Sequence, residues 1–359
     1  MSEHSAGRED TLATIVDVAQ AAGVSVATVS RVLNGKYPVK QQLREKVLAA
    51  VDALQYVPNT TARNLRRSES GTILILAPNI TNPYYNHILA GIGEVAQKYG
   101  YRSFLCNTGG DIEQEKSLLS RLETHEADGA VLLATELGAQ WLLPFAQRFP
   151  VVQSSEFDPQ VDVAHVSIDN RRAARDVMEY LLSLGHTRIG LINSENHYYS
   201  TQQRTRGYCE ALQQAGIEVR QDYIRQASVD YSFKSGFQAA RSLLSQETRP
   251  TALFCISDML ALGAIASAQE MGFRVPEDVT VVGFDDVDST TMFHPYVTTV
   301  VQPCLDIGRR AMEMLYDLMH GRQAPRQVVL PHHLEVRESS ASRYQELMDF
   351  TARMRTVQS

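Results

Sequence analysis

The stretch TIVDVAQAAGVSVATVSRVLN, residues 14–34, predicts two short helices joined by a tight turn. Thr14 can cap the first helix, and Asp17 three residues later completes a capping-box pattern. Gly23 ends that helix, because glycine adopts the left-handed conformation without strain. Ser25 is a suitable cap for the second helix. Apolar residues recur on one face of each helix, which leaves small polar side chains and an arginine on the outer face of the second.

This pattern is the outline of a helix-turn-helix, a motif that places its second helix in the major groove of DNA. The alternative is an αα-corner in a helical domain without a nucleic-acid role. Residues 39–56 supply a third helix whose apolar face can close a core with the first two, and Pro58 disfavours its continuation. We therefore predict a helix-turn-helix DNA-binding domain over residues 12–58.

The next segment, NTTARNLRR at residues 59–67, contains three arginines and one large apolar residue, Leu65. It is too short to fold alone, because isolated helices of under about 12 residues are marginal in water. One interpretation is a charged linker. The other is a hinge helix that forms on DNA and inserts Leu65 into the minor groove. We assign residues 59–70 to a hinge helix and linker.

Charge is unevenly distributed along the 359 residues. The whole chain carries a net charge of −7, whereas residues 11–67 hold eight basic and three acidic side chains, a local charge of +5. A basic head on an acidic body indicates a head that meets phosphate and a body with another task.

The composition is that of a soluble globular protein, with 44% hydrophobic and 21% charged residues. The sequence has no apolar run of about 18 residues and a polar N-terminus, so we expect neither a membrane span nor a secretory leader. The four cysteines are far apart in apolar surroundings, which favours reduced thiols and a cytoplasmic location.

From Thr72 the pattern changes to alternating strands and helices, which is typical of parallel sheets covered by helices. About 11 strands exceed one ordinary sheet, so we expect an α/β fold with two doubly wound parallel-sheet lobes forming a clamshell. The predicted clamshell spans 71–340, followed by a C-terminal tail at 341–359. We assign 71–165 and 298–327 to lobe one, and 166–297 and 328–340 to lobe two.

Three patterns that imitate catalytic or cofactor motifs do not support such chemistry. Gly91 and Gly93 begin a G-x-G-x-x-A run, but it lies deep in a predicted helix, where we interpret the glycines as close helix–sheet packing. The aspartates at 285, 286 and 288 lack the remaining ligands of a calcium loop. His332 and His333 would point to opposite faces of a strand. We predict no catalytic residue, no metal and no cofactor.

Ligands of open α/β sheets bind at the carboxyl ends of the strands. Four predicted loops follow strands at such ends, and they contain tyrosines, carboxylates and an arginine: residues 79–85, 154–157, 194–204 and 284–288. Carboxylates and arginine hydrogen-bond hydroxyl groups, and aromatic faces pack on a sugar ring or a base. This combination favours a small polyhydroxylated ligand.

The chain resembles the lac/galactose repressor family over roughly residues 13–340. The resemblance is carried by these motifs: IVDVAQAAGVSVATVSRVLNG, LQYVPNTTARNL, NPYY, SLGHTRIGLI, RTRGY, SDMLALGA, VPEDVTVVGFDD and TTVVQP. Three positions depart from the family pattern, since Ser257 replaces a frequent asparagine, Lys40 replaces a usual helix cap and Leu43 replaces a usual threonine. The tail at 341–359 lacks leucine heptads, so a homodimer is the expected assembly.

The resemblance implies a periplasmic-binding-protein-like clamshell behind the DNA-binding head, and a dimer that reads a pseudopalindromic operator. It implies that DNA is contacted by recognition-helix residues Val26, Ala27, Thr28, Ser30, Arg31 and Asn34 and by hinge residues Asn59, Ala62 and Leu65. It implies that an effector, a sugar or a nucleoside, is contacted by Tyr84, Tyr85, Glu156, Arg204, Tyr231, Ser257 and Asp285.

The sequence thus predicts a cytoplasmic, ligand-regulated transcription repressor that is not an enzyme. The alternative is a solute-binding protein of the same clamshell fold, which the basic head and the polar N-terminus disfavour. A second alternative is an enzyme that uses the cleft, but no base–nucleophile pair supports it.

Overall fold

The computed structural model describes residues 13–34, 39–56 and 69–340. The chain divides into two compact units, one up to Ser68 and the other from Glu69. In the first unit, the described residues contain helices α1 (Ile15–Ala22), α2 (Val26–Asn34) and α3 (Gln41–Ala53). Val18, Val29 and Val47, one from each helix, are fully buried together and form the centre of a small apolar core.

The capping residues predicted for the head are confirmed. Thr14 and Asp17 form a reciprocal capping box at the start of α1, and Gly23 ends α1 in the left-handed conformation with φ of 64°. Ser25 Oγ accepts a hydrogen bond from the Thr28 backbone N–H at 3.2 Å, which caps α2. Lys40 precedes α3 without a side-chain cap bond, as its departure from the family pattern suggests.

The second unit contains two six-stranded sheets covered by helices. Its elements are, in chain order, β1 (Thr72–Ala77), α4 (Tyr85–Lys98), β2 (Arg102–Asn107), α5 (Ile112–Glu123), β3 (Gly129–Leu132), α6 (Ala139–Ala146), β4 (Val151–Ser154), β5 (His165–Ile168), α7 (Asn170–Ser183), β6 (Ile189–Ser194), α8 (Tyr199–Gln214), β7 (Ile224–Ala227), α9 (Phe233–Leu244), β8 (Ala252–Cys255), α10 (Asp258–Glu270), β9 (Thr280–Asp285), β10 (Thr298–Val301), α11 (Cys304–Met319), β11 (Gln327–Leu330) and β12 (His333–Glu335).

The strand orders confirm two doubly wound lobes. The first sheet has the order β2-β1-β3-β4-β5-β11 and is parallel throughout. The second has the order β7-β6-β8-β9-β10-β12, in which only β12 is antiparallel to its neighbour. We refer to the first sheet with its helices as lobe one and to the second as lobe two.

The predicted division of the chain between the lobes was wrong at the crossovers. Strand β10 was assigned to lobe one but pairs with β9 in lobe two. Strand β11 was assigned, apart from its first residue, to lobe two but pairs with β5 in lobe one. Strand β5 also lies wholly in lobe one, so the chain crosses between lobes after Ile168, Val301 and Leu330. The buried Thr299 hydroxyl donates to Asp258 Oδ1 at 2.6 Å, a polar contact that fixes β10 inside lobe two.

The interpretation of Gly91 and Gly93 as helix–sheet packing residues was also wrong. Gly91 faces another helix, because a Cβ atom there would lie 2.1 Å from the Leu305 carbonyl oxygen of α11. A Cβ at Gly308 of α11 would likewise lie 2.0 Å from the Ile88 oxygen of α4. Gly93 has open space around its Cβ position. The first glycine and Gly308 therefore allow α4 and α11 to touch backbone to backbone.

Within the described residues, no single helix combines the length and apolar character needed to cross a bilayer. The two helices Ile15–Ala22 and Val26–Leu33, which are bent relative to each other, reach that length and apolar character only when they are taken together.

Candidate functional site

The head presents its second helix at the angle expected of a helix-turn-helix. Helices α1 and α2 are bent by 102° relative to each other, within the range of that motif. Ala27 and Arg31 are exposed on α2, and Val26, Thr28 and Ser30 are partly exposed. The side chain of Asn34 and the hinge residues Asn59, Ala62 and Leu65 lie outside the described residues.

In the second unit, a cavity lies between the lobes at the carboxyl ends of the strands. Its lining residues come from both lobes and are Asn82, Tyr84, Tyr85, Glu156, Tyr198, Ser200, Arg204, Tyr231, Ser257 and Asp285. The structure thus brings together all seven residues that the sequence singled out for an effector. Asn82, Tyr198 and Ser200 were not predicted, although each lies in a loop or helix start that was.

Arg204 of α8 is the buried cation of this cavity. Its guanidinium donates to Asn170 Oδ1 at 2.9 Å and to the Ile256 carbonyl oxygen at 2.5 Å. It lies 3.8 Å from Asp285 Oδ1 and packs on the face of Phe284, 3.6 Å from the ring centroid. The guanidinium is therefore held in place from several sides, as a rigid donor should be.

A hydrogen-bond network links the cavity to a crossover between the lobes. Gln302, which joins β10 to α11, donates from Nε2 to Asp285 Oδ1 at 2.8 Å. Its Oε1 lies 3.2 Å from the Tyr84 hydroxyl, which is also 3.0 Å from Ser155 Oγ. Gln302 was missed as a site residue, although the motif TTVVQP contains it. Gln302 thus connects the cavity residues Asp285 and Tyr84 to the crossover.

Glu156 of lobe one reaches across the cavity to α8 of lobe two. Its Oε2 accepts from the Ser200 backbone N–H at 3.1 Å, and its Oε1 accepts from the Ser200 hydroxyl. Burial raises the pKa of Glu156, while these hydrogen bonds and Arg204 oppose the rise. This carboxylate is a direct bond between the two lobes.

Asp285 is the second buried carboxylate of the cavity. Burial raises its pKa to about 7, against the opposing effects of Arg204 and the Gln302 hydrogen bond. The two nearby aspartates have other partners. Asp286 pairs with Arg337 at 2.7 Å, and Asp288 lies 3.0 Å from His87 Nε2. The three aspartates therefore serve different partners.

Several residues beside the cavity adopt backbone conformations that L-amino acids rarely take. The φ angles of Ser155, Tyr231, Asp285 and Asp286 are 72°, 54°, 119° and 60°. Such conformations cost of order 1–3 kcal/mol each and tend to cluster at functional sites. Their position here supports a functional role for the cavity.

A larger cavity adjoins the first and shares Glu156 and Tyr198 with it. This second cavity, the outer cavity, has a volume of about 360 Å³. The first cavity, the inner cavity, has a volume of about 30 Å³, which holds one or two water molecules. The outer cavity is lined by aromatic and acidic residues that include Phe157, Tyr199, Glu136 and Asp158. A sugar or nucleoside therefore requires the lobes or the side chains to move apart before it can enter the inner cavity.

Comparison with known proteins agrees with both units. Residues 14–59 match the family model of bacterial regulatory proteins, lacI family, and residues 70–338 match that of periplasmic binding proteins and the sugar binding domain of the LacI family. The chain is 38% identical to the HTH-type transcriptional repressor CytR of Escherichia coli (strain K12) over 318 residues, 88% of this chain and 93% of that protein.

Solved structures give the same result. The lac repressor dimer bound to operator and the anti-inducer ONPF matches with a TM-score of 0.79 at 27% identity, over 92% of this chain and all of that chain. The transcriptional regulator CelR in complex with cellobiose matches with a TM-score of 0.68 at 32% identity, over 91% of this chain and all of that chain.

A helix-turn-helix head followed in sequence by a two-lobed body with an interlobe cavity defines the class of ligand-regulated DNA-binding proteins. The coverage of both family models and the identity to CytR narrow the class further. The chain belongs to the lacI family of bacterial regulatory proteins.

Proposed function

We propose that the protein is a transcriptional repressor whose operator affinity is set by a small polar ligand in the interlobe cavity. The observation that carries the proposal is the convergence of seven predicted residues, from separate elements of the two lobes, on one cavity. The family relatives are themselves transcriptional repressors. The cavity binds its ligand without a reaction, and the protein acts in the cytoplasm.

The head reads DNA as one half of a homodimer on a pseudopalindromic operator. Arg31 is exposed on α2, and its planar guanidinium suits the O6 and N7 acceptors of guanine. Residues 59–67 act as the hinge, in which Leu65 opens the minor groove at a cost of a few kcal/mol that new contacts offset.

The ligand is a sugar or a nucleoside. Asp285 and Glu156 offer carboxylate oxygens to hydroxyl groups, Arg204 offers donors, and Tyr84 and Tyr231 offer flat aromatic faces. Closure of the lobes on the ligand shifts the first lobes of the dimer and thereby the pairing of the two hinges. By linkage, operator binding must change the affinity for the ligand by the same factor.

We expect Arg31→Ala to weaken binding to the specific operator by about 1–3 kcal/mol and to relax the preference at one base pair. The measurement is binding to the operator and to its single-base variants by fluorescence anisotropy. The control is Arg44→Ala, which removes an exposed positive charge from α3. An equal loss on operator and random DNA for Arg31→Ala would contradict base reading by this arginine.

We expect Asp285→Ala to remove the ligand response while leaving operator binding intact, because the cavity loses an acceptor that both Arg204 and Gln302 hold in place. Ligands are first found by thermal shift with ribose, cellobiose and the four ribonucleosides, since a ligand at about 100 times its Kd adds roughly 2.7 kcal/mol. Glu277→Ala, at an exposed glutamate of lobe two, is the control. A normal response in the Asp285 variant would move the ligand site elsewhere.

A further inference from the structure

The N-terminus of helix α8 opens into the cleft between the lobes. Its N-cap residue, Tyr198, makes no side-chain capping bond, so the first backbone N–H groups of α8 need partners from elsewhere. The partner of Ser200 is Glu156 of the opposite lobe, whose carboxylate accepts from both its backbone N–H and its hydroxyl. The end of a helix is a natural site for an anion, and here the protein's own carboxylate occupies it.

The surroundings of Glu156 are short of positive charge. Four carboxylates line the inner and outer cavities: Glu136, Glu156, Asp158 and Asp285. Among these lining residues Arg204 is the single arginine or lysine, and its guanidinium is already held by Asn170, the Ile256 carbonyl and Asp285. The N-terminus of α8 and the guanidinium of Arg204 therefore both already have partners within the protein.

We infer that the cleft selects an uncharged or cationic hydroxylated ligand and rejects the phosphorylated form of the same ligand, and that Glu156 is the residue that enforces this choice. The inference rests on the proposed function and adds the chemical class of the ligand to it. It makes Glu156 a specificity-determining residue in addition to a bond between the lobes.

A phosphate group that entered the cleft would face one of two penalties. It could displace Glu156 from α8, which leaves a buried carboxylate without its hydrogen bonds. It could instead remain beside Glu156, where two like charges meet in a site of low dielectric. Burial already raises the pKa of this carboxyl despite the Ser200 hydrogen bonds, so the site has no surplus of stabilisation for a second negative charge.

The test compares matched ligand pairs by isothermal titration calorimetry. The pairs are ribose with ribose 5-phosphate and each of the four ribonucleosides with its 5′-monophosphate. For the full-length wild type we expect the neutral member of any binding pair to bind about 100-fold more tightly than its phosphate ester. Equal binding of the two members, or tighter binding of the ester, would overturn the inference.

The second arm uses Glu156→Gln, which removes the charge and keeps an acceptor for Ser200. In this variant we expect the ratio of the two affinities, neutral ligand over phosphate ester, to fall by about 10-fold, because the ester binds more tightly. We call this ratio the gap. Inorganic phosphate, followed by ³¹P NMR line width, should also bind to the variant and not to the wild type. Glu195→Gln, at an exposed glutamate of lobe two, is the matched control and should keep the wild-type gap.

The outcomes separate the two proposals. A Glu156→Gln variant that keeps the full wild-type gap would overturn the role of Glu156. If the variant does not fold, the wild-type pairs alone still decide whether the cleft rejects phosphate. The absence of binding by every neutral and phosphorylated probe would count against the ligand-binding function itself, and the inference would fall with it.

Discussion

Arg204→Met is expected to lower the free energy of unfolding by about 3–5 kcal/mol and to abolish ligand binding. Methionine fills much of the volume above Phe284 but removes the cation from a buried site that contains Asp285. The carboxylate then remains buried without its opposite charge, and the carbonyl of Ile256 loses a donor. Breaking a buried pair costs more than the pair contributes, because the remaining partner stays desolvated.

The loss of unfolding free energy caused by Arg204→Met should grow with pH. Burial holds the pKa of Asp285 at about 7 in the folded wild type, above its ordinary value of 3.8, so ionisation of this carboxyl opposes folding as the pH rises through 7. Without Arg204 the folded-state pKa rises further. The difference in the free energy of unfolding between wild type and variant should therefore be larger at pH 8 than at pH 6, as measured by urea titration at both pH values.

Two further variants test this explanation. Arg206→Met changes an exposed arginine on the same helix and should alter the free energy of unfolding by less than about 0.5 kcal/mol. The double variant Arg204→Met/Asp285→Asn should recover part of the loss, because it removes both charges together. A loss that is independent of pH and unchanged in the double variant would show that packing, and not charge, makes Arg204 important.

Gly91→Ala is expected to cost about 3 kcal/mol or more of the free energy of unfolding. The added methyl group would lie 2.1 Å from the Leu305 oxygen and 2.9 Å from the Arg309 nitrogen, which are backbone atoms of α11 and cannot rotate away. Helices α4 and α11 must then separate along their whole contact. The measurement is chemical denaturation of the full chain, followed by circular dichroism.

The matched control for this prediction is Gly93→Ala, two residues along the same helix. Its Cβ would meet no atom within 4 Å, and alanine favours the helix over glycine, so the substitution should stabilise the protein by up to about 1 kcal/mol. The same glycine-to-alanine change is thus predicted to lower the free energy of unfolding at position 91 and to raise it at position 93. A similar effect at both positions would contradict the close backbone contact.

Much of the candidate site could be predicted because a topological rule places it. The tyrosines at 84 and 85 and Glu156 follow strands, and Asp285 is the last residue of one. The carboxyl ends of parallel strands share one edge of a sheet. The rule locates loops, not the orientation of each residue within them. Tyr198 and Ser200 were therefore missed although their loop had been singled out, and Gln302 was missed because it lies on a crossover.

The assignment of the last strands to lobes could not be read from the sequence for a different reason. A short apolar run such as Thr298–Val301 predicts a strand and carries no information about which sheet accepts it. The deciding contact, from Thr299 to Asp258, joins residues 41 positions apart. The prediction for Gly91 was wrong for a similar reason. A glycine in a helix indicates close approach but does not identify the element that approaches.

The three crossovers also govern the order in which the protein can be made. The head closes its core with residues up to 56, so it can fold as soon as that short segment has left the ribosome. Neither lobe has this independence, because the first sheet waits for β11 and the second waits for β12. Until then β5 and β10 each lack the neighbouring strand that covers one of their edges, and such uncovered edges are sites where unfinished chains associate wrongly. Synthesis thus completes the DNA-reading part early and both halves of its control domain almost together, with β11 and β12.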